Sequence, residues 1–145
     1  RDAVPVVYDE DQEFTIGKAV RVRDGGDVAI IAVGDTLRLA IEAAEQLHAK
    51  GIEARVLDMH TIKPLDTDAV NGCIADIGKI ITVEDHNKIN GLGSAVAECI
   101  AEAGHGILRR VAIQDQFGQS APYERLLEIN GITAENIAAQ AESLM

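Results

Sequence analysis

The chain has 145 residues, 47% of them hydrophobic, 26% charged and 3% aromatic, a balance that suits one folded domain and argues against disorder. Lys and Arg number 13 against 24 Asp and Glu, for a net charge of −11, so nucleic acid and anionic membrane are not expected as partners. No apolar run reaches the roughly 20 residues of a membrane span, no basic-then-apolar leader opens the chain, and Cys73 and Cys99 are too few and too far apart for a zinc site or a CxxC pair.

Free thiols in an acidic chain fit a reducing cytoplasm, and an opening Arg1 in place of Met leads us to expect a piece of something longer. Ala3 to Tyr8 reads as extended. The acidic Asp9-Glu10-Asp11 follows, then a strand-like stretch from Phe14 to Val22. Asp27 to Val33 is a short apolar run, the mark of a strand buried on both faces. Gly34 breaks it, and Asp35 and Thr36 offer side-chain oxygens to the N–H groups of a helix. Leu37, Ala40, Ile41, Ala44, Leu47 and His48 form its apolar stripe, and Gly51 ends it. Glu53 to Leu57 is the next strand. Asp66 caps a short helix whose core side is Val70, Cys73, Ile74 and Ile77. Lys79 to Val83 is a strand, Glu84 to Gly91 a polar loop, and Gly93 to Ala103 a helix of small residues. Leu108 to Ile113 is a last strand, Gln114 to Ala121 a loop, and Pro122 to Ile129 and Thr133 to Ser143 are helices.

Strands separated by helices of about ten residues imply parallel pairing with right-handed crossovers. The expected fold is therefore α/β, a three-layer α/β/α sandwich. Only Arg23 to Asp27 separate the Phe14–Val22 segment from the strand beginning at Val28, so those two segments are expected to pair antiparallel in a mixed sheet.

Gly91-Leu92-Gly93-Ser94 opens a helix, where bare N–H groups can bind phosphate. Val96 stands where a dinucleotide fingerprint needs Gly or Ala, so close packing of helix on sheet is the better reason for these glycines. Gly34-Asp35-Thr36 lies where ligands often sit in open sheets, although capping accounts for it. Glu84-Asp85-His86 puts carboxylates beside a histidine at a strand end, a pairing suited to acid–base work near neutral pH. A solvated loop or an interface cluster is the plainer reading. His60 is expected to be structural or at a contact surface, His48 to pack, and His105 to be solvated. No histidine pair has metal-ligand spacing with a third partner, and no Gly-x-Ser-x-Gly element is present. Gly25-Gly26-Asp27-Val28 lacks the closing glycine and the following Asn of a thiamine diphosphate anchor.

In order and spacing, several segments together resemble the C-terminal domain of transketolases, especially the C-terminal section of split bacterial and archaeal ones. They are Thr15–Val20, Asp27–Gly34, Ala54–Asp66, Glu84–Asn87 with Gly91–Glu98, and Asp115–Ser120. Early segments are also similar to 2-oxo acid dehydrogenase beta subunits and to 1-deoxy-D-xylulose-5-phosphate synthase. Phe117-Gly118 followed by Tyr123-Glu-Arg-Leu-Leu127 looks more like transketolase. Ala121 and Asn90 stand where that family commonly has Gly.

The resemblance implies a mixed five-stranded sheet, with residues 1–13 as linker from a preceding domain and 14–145 as the domain itself. It implies a cytoplasmic homodimer of the pentose phosphate pathway, moving a two-carbon ketol unit between sugar phosphates. Thiamine diphosphate and Mg²⁺ would be held by N-terminal and middle domains or a partner subunit, and none by this chain alone, which would be inactive. Arg1 would contact the substrate phosphate, a task that suits its planar fork. Glu84, Asp85, His86, Asn87, Ala97 and Ala101 would lie at an interface or channel rim. The alternatives are the equivalent domain of the two related families, or a free-standing ligand-binding α/β module.

Overall fold

A computed structural model of the chain describes residues 5–145. Arg1, and the first residues of the expected Ala3–Tyr8 stretch, lie outside the described residues. Five strands form one mixed sheet in the order β1-β3-β2-β4-β5: β1 (Val20–Arg23), β2 (Val28–Ala32), β3 (Ala54–Asp58), β4 (Lys79–Asn87) and β5 (Ile107–Ile113). The helices are α1 (Leu37–His48), α2 (Thr67–Asp76), α3 (Leu92–Ala103), α4 (Tyr123–Ile129) and α5 (Ala134–Glu142).

Side chains alternate across a strand, and β2 sends its two sets into two cores. Val28, Ile30 and Ala32 pack toward α1 and α5, with Ala40, Ala44, Leu47, Ile137 and Ala141. Ala29 and Ile31 pack toward α2 and α3, with Val70, Ile74, Leu92 and Val96. All five β2 residues are buried, which is why that run carries no polar residue.

The expected reversed strand is present but shorter, with residues 14–19 outside it, and its partner differs. β1 pairs antiparallel with β3, Val20 opposite Asp58, rather than with β2. β2 is instead flanked by β3 and β4, both parallel to it. The Val-Arg-Val-Arg sequence of β1 is only partly buried and suits an edge. β3 is nearly all buried and must lie inside. The connection from β1 to β2 crosses the start of β3 so closely that a Cβ on Gly25 would overlap the Ala54 backbone.

Three local expectations are corrected. β4 runs on to Asn87, so Glu84–Asn87 is strand and only the following residues are loop. Neither Asp35 nor Thr36 caps α1. A 3-10 turn over Gly34–Thr36 intervenes, and the Thr36 hydroxyl is shared between the Val33 and Val83 carbonyls at 2.9 and 3.0 Å. His48 is not packed: its side chain is 62% exposed, with Nδ1 2.7 Å from Glu53 Oε1. Asp66 does cap α2, accepting from Ala69 N–H at 3.1 Å, and its other oxygen accepts from Ala19 N–H at 2.8 Å.

Candidate functional site

Glu84 is fully buried. Its side chain points under the start of α3, where Oε2 accepts from Leu92 N–H at 2.7 Å and Oε1 from Gly93 N–H at 2.8 Å. A carboxylate at the positive end of a helix is favoured by the helix dipole and by the otherwise unpaired N–H groups. The two glycines make room for this. A Cβ on Gly91 would run into the Glu84 carboxylate, and one on Gly93 would meet the Arg110 side chain at 2.6 Å and Thr82 Oγ1 at 2.9 Å. The glycines are there for packing, and Glu84 itself occupies the place an anion would take.

The register of β4 against β5 is irregular between Val83 and Asn87, and the neighbouring polar residues part there. Asp85 is exposed and accepts from the Tyr123 hydroxyl at 3.2 Å. That contact and burial raise the Tyr123 pKa, burial contributing most. His86 is exposed, with Nδ1 2.8 Å from the Asn87 carbonyl. The structure therefore gives the Glu84-Asp85-His86 run three separate environments, and no carboxylate–histidine pair forms within it.

Asn87 donates to Asp115 at 3.3 Å and accepts from Ile89 N–H at 2.9 Å. Asn90 N–H donates to Ser94 Oγ at 2.9 Å, and Arg110 donates to the Lys88 carbonyl at 3.0 Å. Asn90 has φ +64°, a left-handed conformation that Asn tolerates better than most residues and Gly best. This accounts for Asn at that turn.

On α3, Leu92, Gly93, Val96 and Cys99 face the core. Ala97 is half-buried, and Ala101 is exposed beside Glu98 and Glu102. A groove of about 470 Å³ runs between this helix and the β3–α2 connection, bordered by Ile62, Leu65, Asn90, Ala95 and Cys99. Burial raises the pKa of both thiols, Cys73 and Cys99, which keeps them protonated and unreactive. His105 is exposed, with Nδ1 3.1 Å from the Ala103 carbonyl. His60 stacks edge-on against Phe14 with centroids 5.2 Å apart. Sequence reasoning missed a further contact, the Tyr8 hydroxyl donating to Asp58 at 2.6 Å. The signal for it was an acid, Asp58, closing a strand whose other inward residues, Ala54, Val56 and Leu57, are apolar.

Residues 17–137 match the family model of the transketolase C-terminal domain. The chain belongs to that family. It is 44% identical over 135 residues to the 6-deoxy-6-sulfo-D-fructose transketolase subunit SqwH of Clostridium sp. (strain MSTE9), covering 93% of this chain and 42% of that protein. It is also 38% identical over 138 residues to the 1-deoxy-D-xylulose-5-phosphate synthase of Heliobacterium modesticaldum, covering 92% of this chain and 21% of that protein. Among solved structures, a split gene transketolase in an inactive beta4 tetramer superposes with TM-score 0.93 at 39% identity, over 99% of this chain and 47% of that one. The chain thus spans less than half the length of these relatives.

The family implies thiamine diphosphate with Mg²⁺. Among the described residues, no group of three or more His, Cys, Asp and Glu side chains is placed to hold a metal ion. The glycine-bearing N-terminus of α3 is filled by Glu84. The described residues do not fit the diphosphate–metal group. No described helix is long and apolar enough to cross a membrane.

Proposed function

We propose that the chain serves as the C-terminal domain of a cytoplasmic transketolase, which moves a two-carbon ketol unit between phosphorylated sugars. The 44% identity to a transketolase subunit over 93% of the chain carries this reading. Thiamine diphosphate and Mg²⁺ sit in N-terminal and middle domains or a partner subunit, where the cofactor supplies the carbanion chemistry. This domain supports assembly of a homodimer. Residues 1–13 are its linker and 14–145 its folded part. Asp85, His86 and Asn87 lie at the interface or channel rim with Ala97 and Ala101 of α3, and Glu84 holds that helix in place. Arg1 binds the sugar phosphate through its planar fork.

The test is a comparison of two reactions in the parent protein supplied with thiamine diphosphate and Mg²⁺. Transfer from a phosphorylated ketose to an aldose phosphate is expected to dominate. The second reading, favoured by the 38% identity to 1-deoxy-D-xylulose-5-phosphate synthase, requires instead that decarboxylating condensation of pyruvate with a triose phosphate be the faster reaction.

A further inference from the structure

Phe117 is 99% exposed, in a chain whose aromatic residues are two Phe and two Tyr with no Trp. The loop that carries it is nonetheless held. Gln114 Nε2 donates to the Ala112 carbonyl at 3.0 Å, and Gln114 Oε1 accepts from Lys88 Nζ at 2.8 Å. Asp115 accepts from Asn87 Nδ2 at 3.3 Å, and Gln116 Nε2 donates to Asn130 Oδ1 at 2.8 Å. Three consecutive residues are thus tied down just before a phenyl ring left in solvent. A ring presented on an ordered loop has less freedom to lose on binding, and buried aromatic side chains anchor protein contacts. Ile89, 48% exposed, stands in the turn after β4, beside the Asn87 and Lys88 that make two of those bonds.

The far end of the same turn, Asn90 and Gly91, borders the groove of about 470 Å³ between α3 and the β3–α2 connection. Ile62, Leu65, Ala95 and Cys99 give this groove an apolar lining. Its α3 wall carries Glu98 and Glu102, which outnumber Lys63 on the facing wall. Phe117 does not enter the groove of its own chain. Lys88, beside the Phe117 loop, donates to the neutral Gln114 amide. Among the described residues, no ion pair includes Lys88, Glu98 or Glu102.

We propose that the Phe117 loop, with Ile89, docks in the groove of a second copy of this chain while the second copy's loop docks in the first, with Lys88 set against Glu98 and Glu102 across the contact. The inference rests on the homodimer of the functional reading above and deepens it by assigning the residues that meet. A protruding loop and a groove on either side of one turn suit a twofold contact, in which each copy offers the same patch and the contact closes on itself. The ring is the buried anchor and the charges form the rim.

The test uses the full-length parent. Benzoylphenylalanine, a photoreactive analogue of Phe, is placed at position 117, and the protein is mixed with an isotope-labelled copy that lacks it, so that links between copies are told from links within one. Irradiation is expected to join position 117 to segment 62–67 or 90–102 of the other copy. Phe117→Asp is expected to weaken the dimer about tenfold or more in sedimentation equilibrium, with an unchanged circular dichroism spectrum, because the ring is exposed in its own chain. Glu98→Lys should also weaken it, and adding Lys88→Glu should restore it; no recovery overturns the pairing of charges. Links confined to one copy, or to any other segment of the second, mean a different occupant and overturn the proposal, as does an undiminished dimer with Phe117→Asp. If the unsubstituted parent sediments as a monomer, the homodimer reading fails and this inference with it. A dimer without the expected link leaves that reading standing and overturns the inference alone.

Discussion

Glu84 shows how a carboxylate inside a strand can be buried when backbone donors reach it. In sequence, Glu-Asp-His-Asn after an apolar run reads as loop, because nothing local says where the carboxylate finds donors. Those donors are Leu92 and Gly93, eight and nine positions later. Hydrogen bonds to charged groups contribute about 1.5–3 kcal/mol each. Glu84→Ala should therefore lower unfolding free energy by about 2–4 kcal/mol, and Gly91→Ala should also destabilise, through its overlap with the carboxylate. Urea unfolding with an unchanged slope and a lower midpoint checks both; an unshifted midpoint for Glu84→Ala would contradict the capping role. Asp66 was legible because its donor, Ala69 N–H, lies only three residues away. Burial raises its pKa, but the Ala19 and Ala69 N–H groups and Lys18 outweigh that, and the net shift is downward. A carboxyl lowered in the folded state contributes stability above its unfolded value near 3.9 and loses it as pH falls through the lower folded value. Asp66→Asn should thus cost about 1–2 kcal/mol at neutral pH, with the difference from wild type shrinking as pH drops below about 4. Parallel unfolding curves at all pH values would overturn this.

At the scale of elements, the strand and helix order, the two-sided burial of β2 and the mixed sheet were all legible, because each follows from local patterning. The neighbour of β1 was not. A five-residue connection resembles a hairpin, yet β3, formed later in the chain, inserts between β1 and β2. The competing signal was present in β1 itself: two arginines in four residues suit the edge of a sheet and not its interior. For α3 the sequence foretold a small-residue helix, and the structure separates its core face from Ala101, Glu98 and Glu102 outside. If that outer face meets a second copy, Ala101→Arg in the parent should shift sedimentation from dimer toward monomer, with activity falling in step, since a long charged side chain cannot be buried unpaired at a close contact. A variant that sediments and works like wild type would move the contact to another face.

For the whole molecule, sequence patterns supplied the architecture and the family, and the proposed function puts the reacting parts in domains beyond this one. Arg1 links the two. Arg1→Ala in the parent should raise KM for phosphorylated sugars far more than for unphosphorylated ones, at a cost of about 1.5–3 kcal/mol in kcat/KM; equal losses on both would make it a linker residue only. The proposed function puts this domain in a ketol-transferring enzyme whose cofactor is held elsewhere. The most direct measurement follows transfer of an isotopically labelled two-carbon unit from a phosphorylated ketose to an aldose phosphate, in the parent and in this 145-residue chain side by side, both supplied with thiamine diphosphate and Mg²⁺. Labelled product is expected from the parent and none from the chain alone. Ketol transfer by the isolated chain, or none by the parent, would contradict the proposed function.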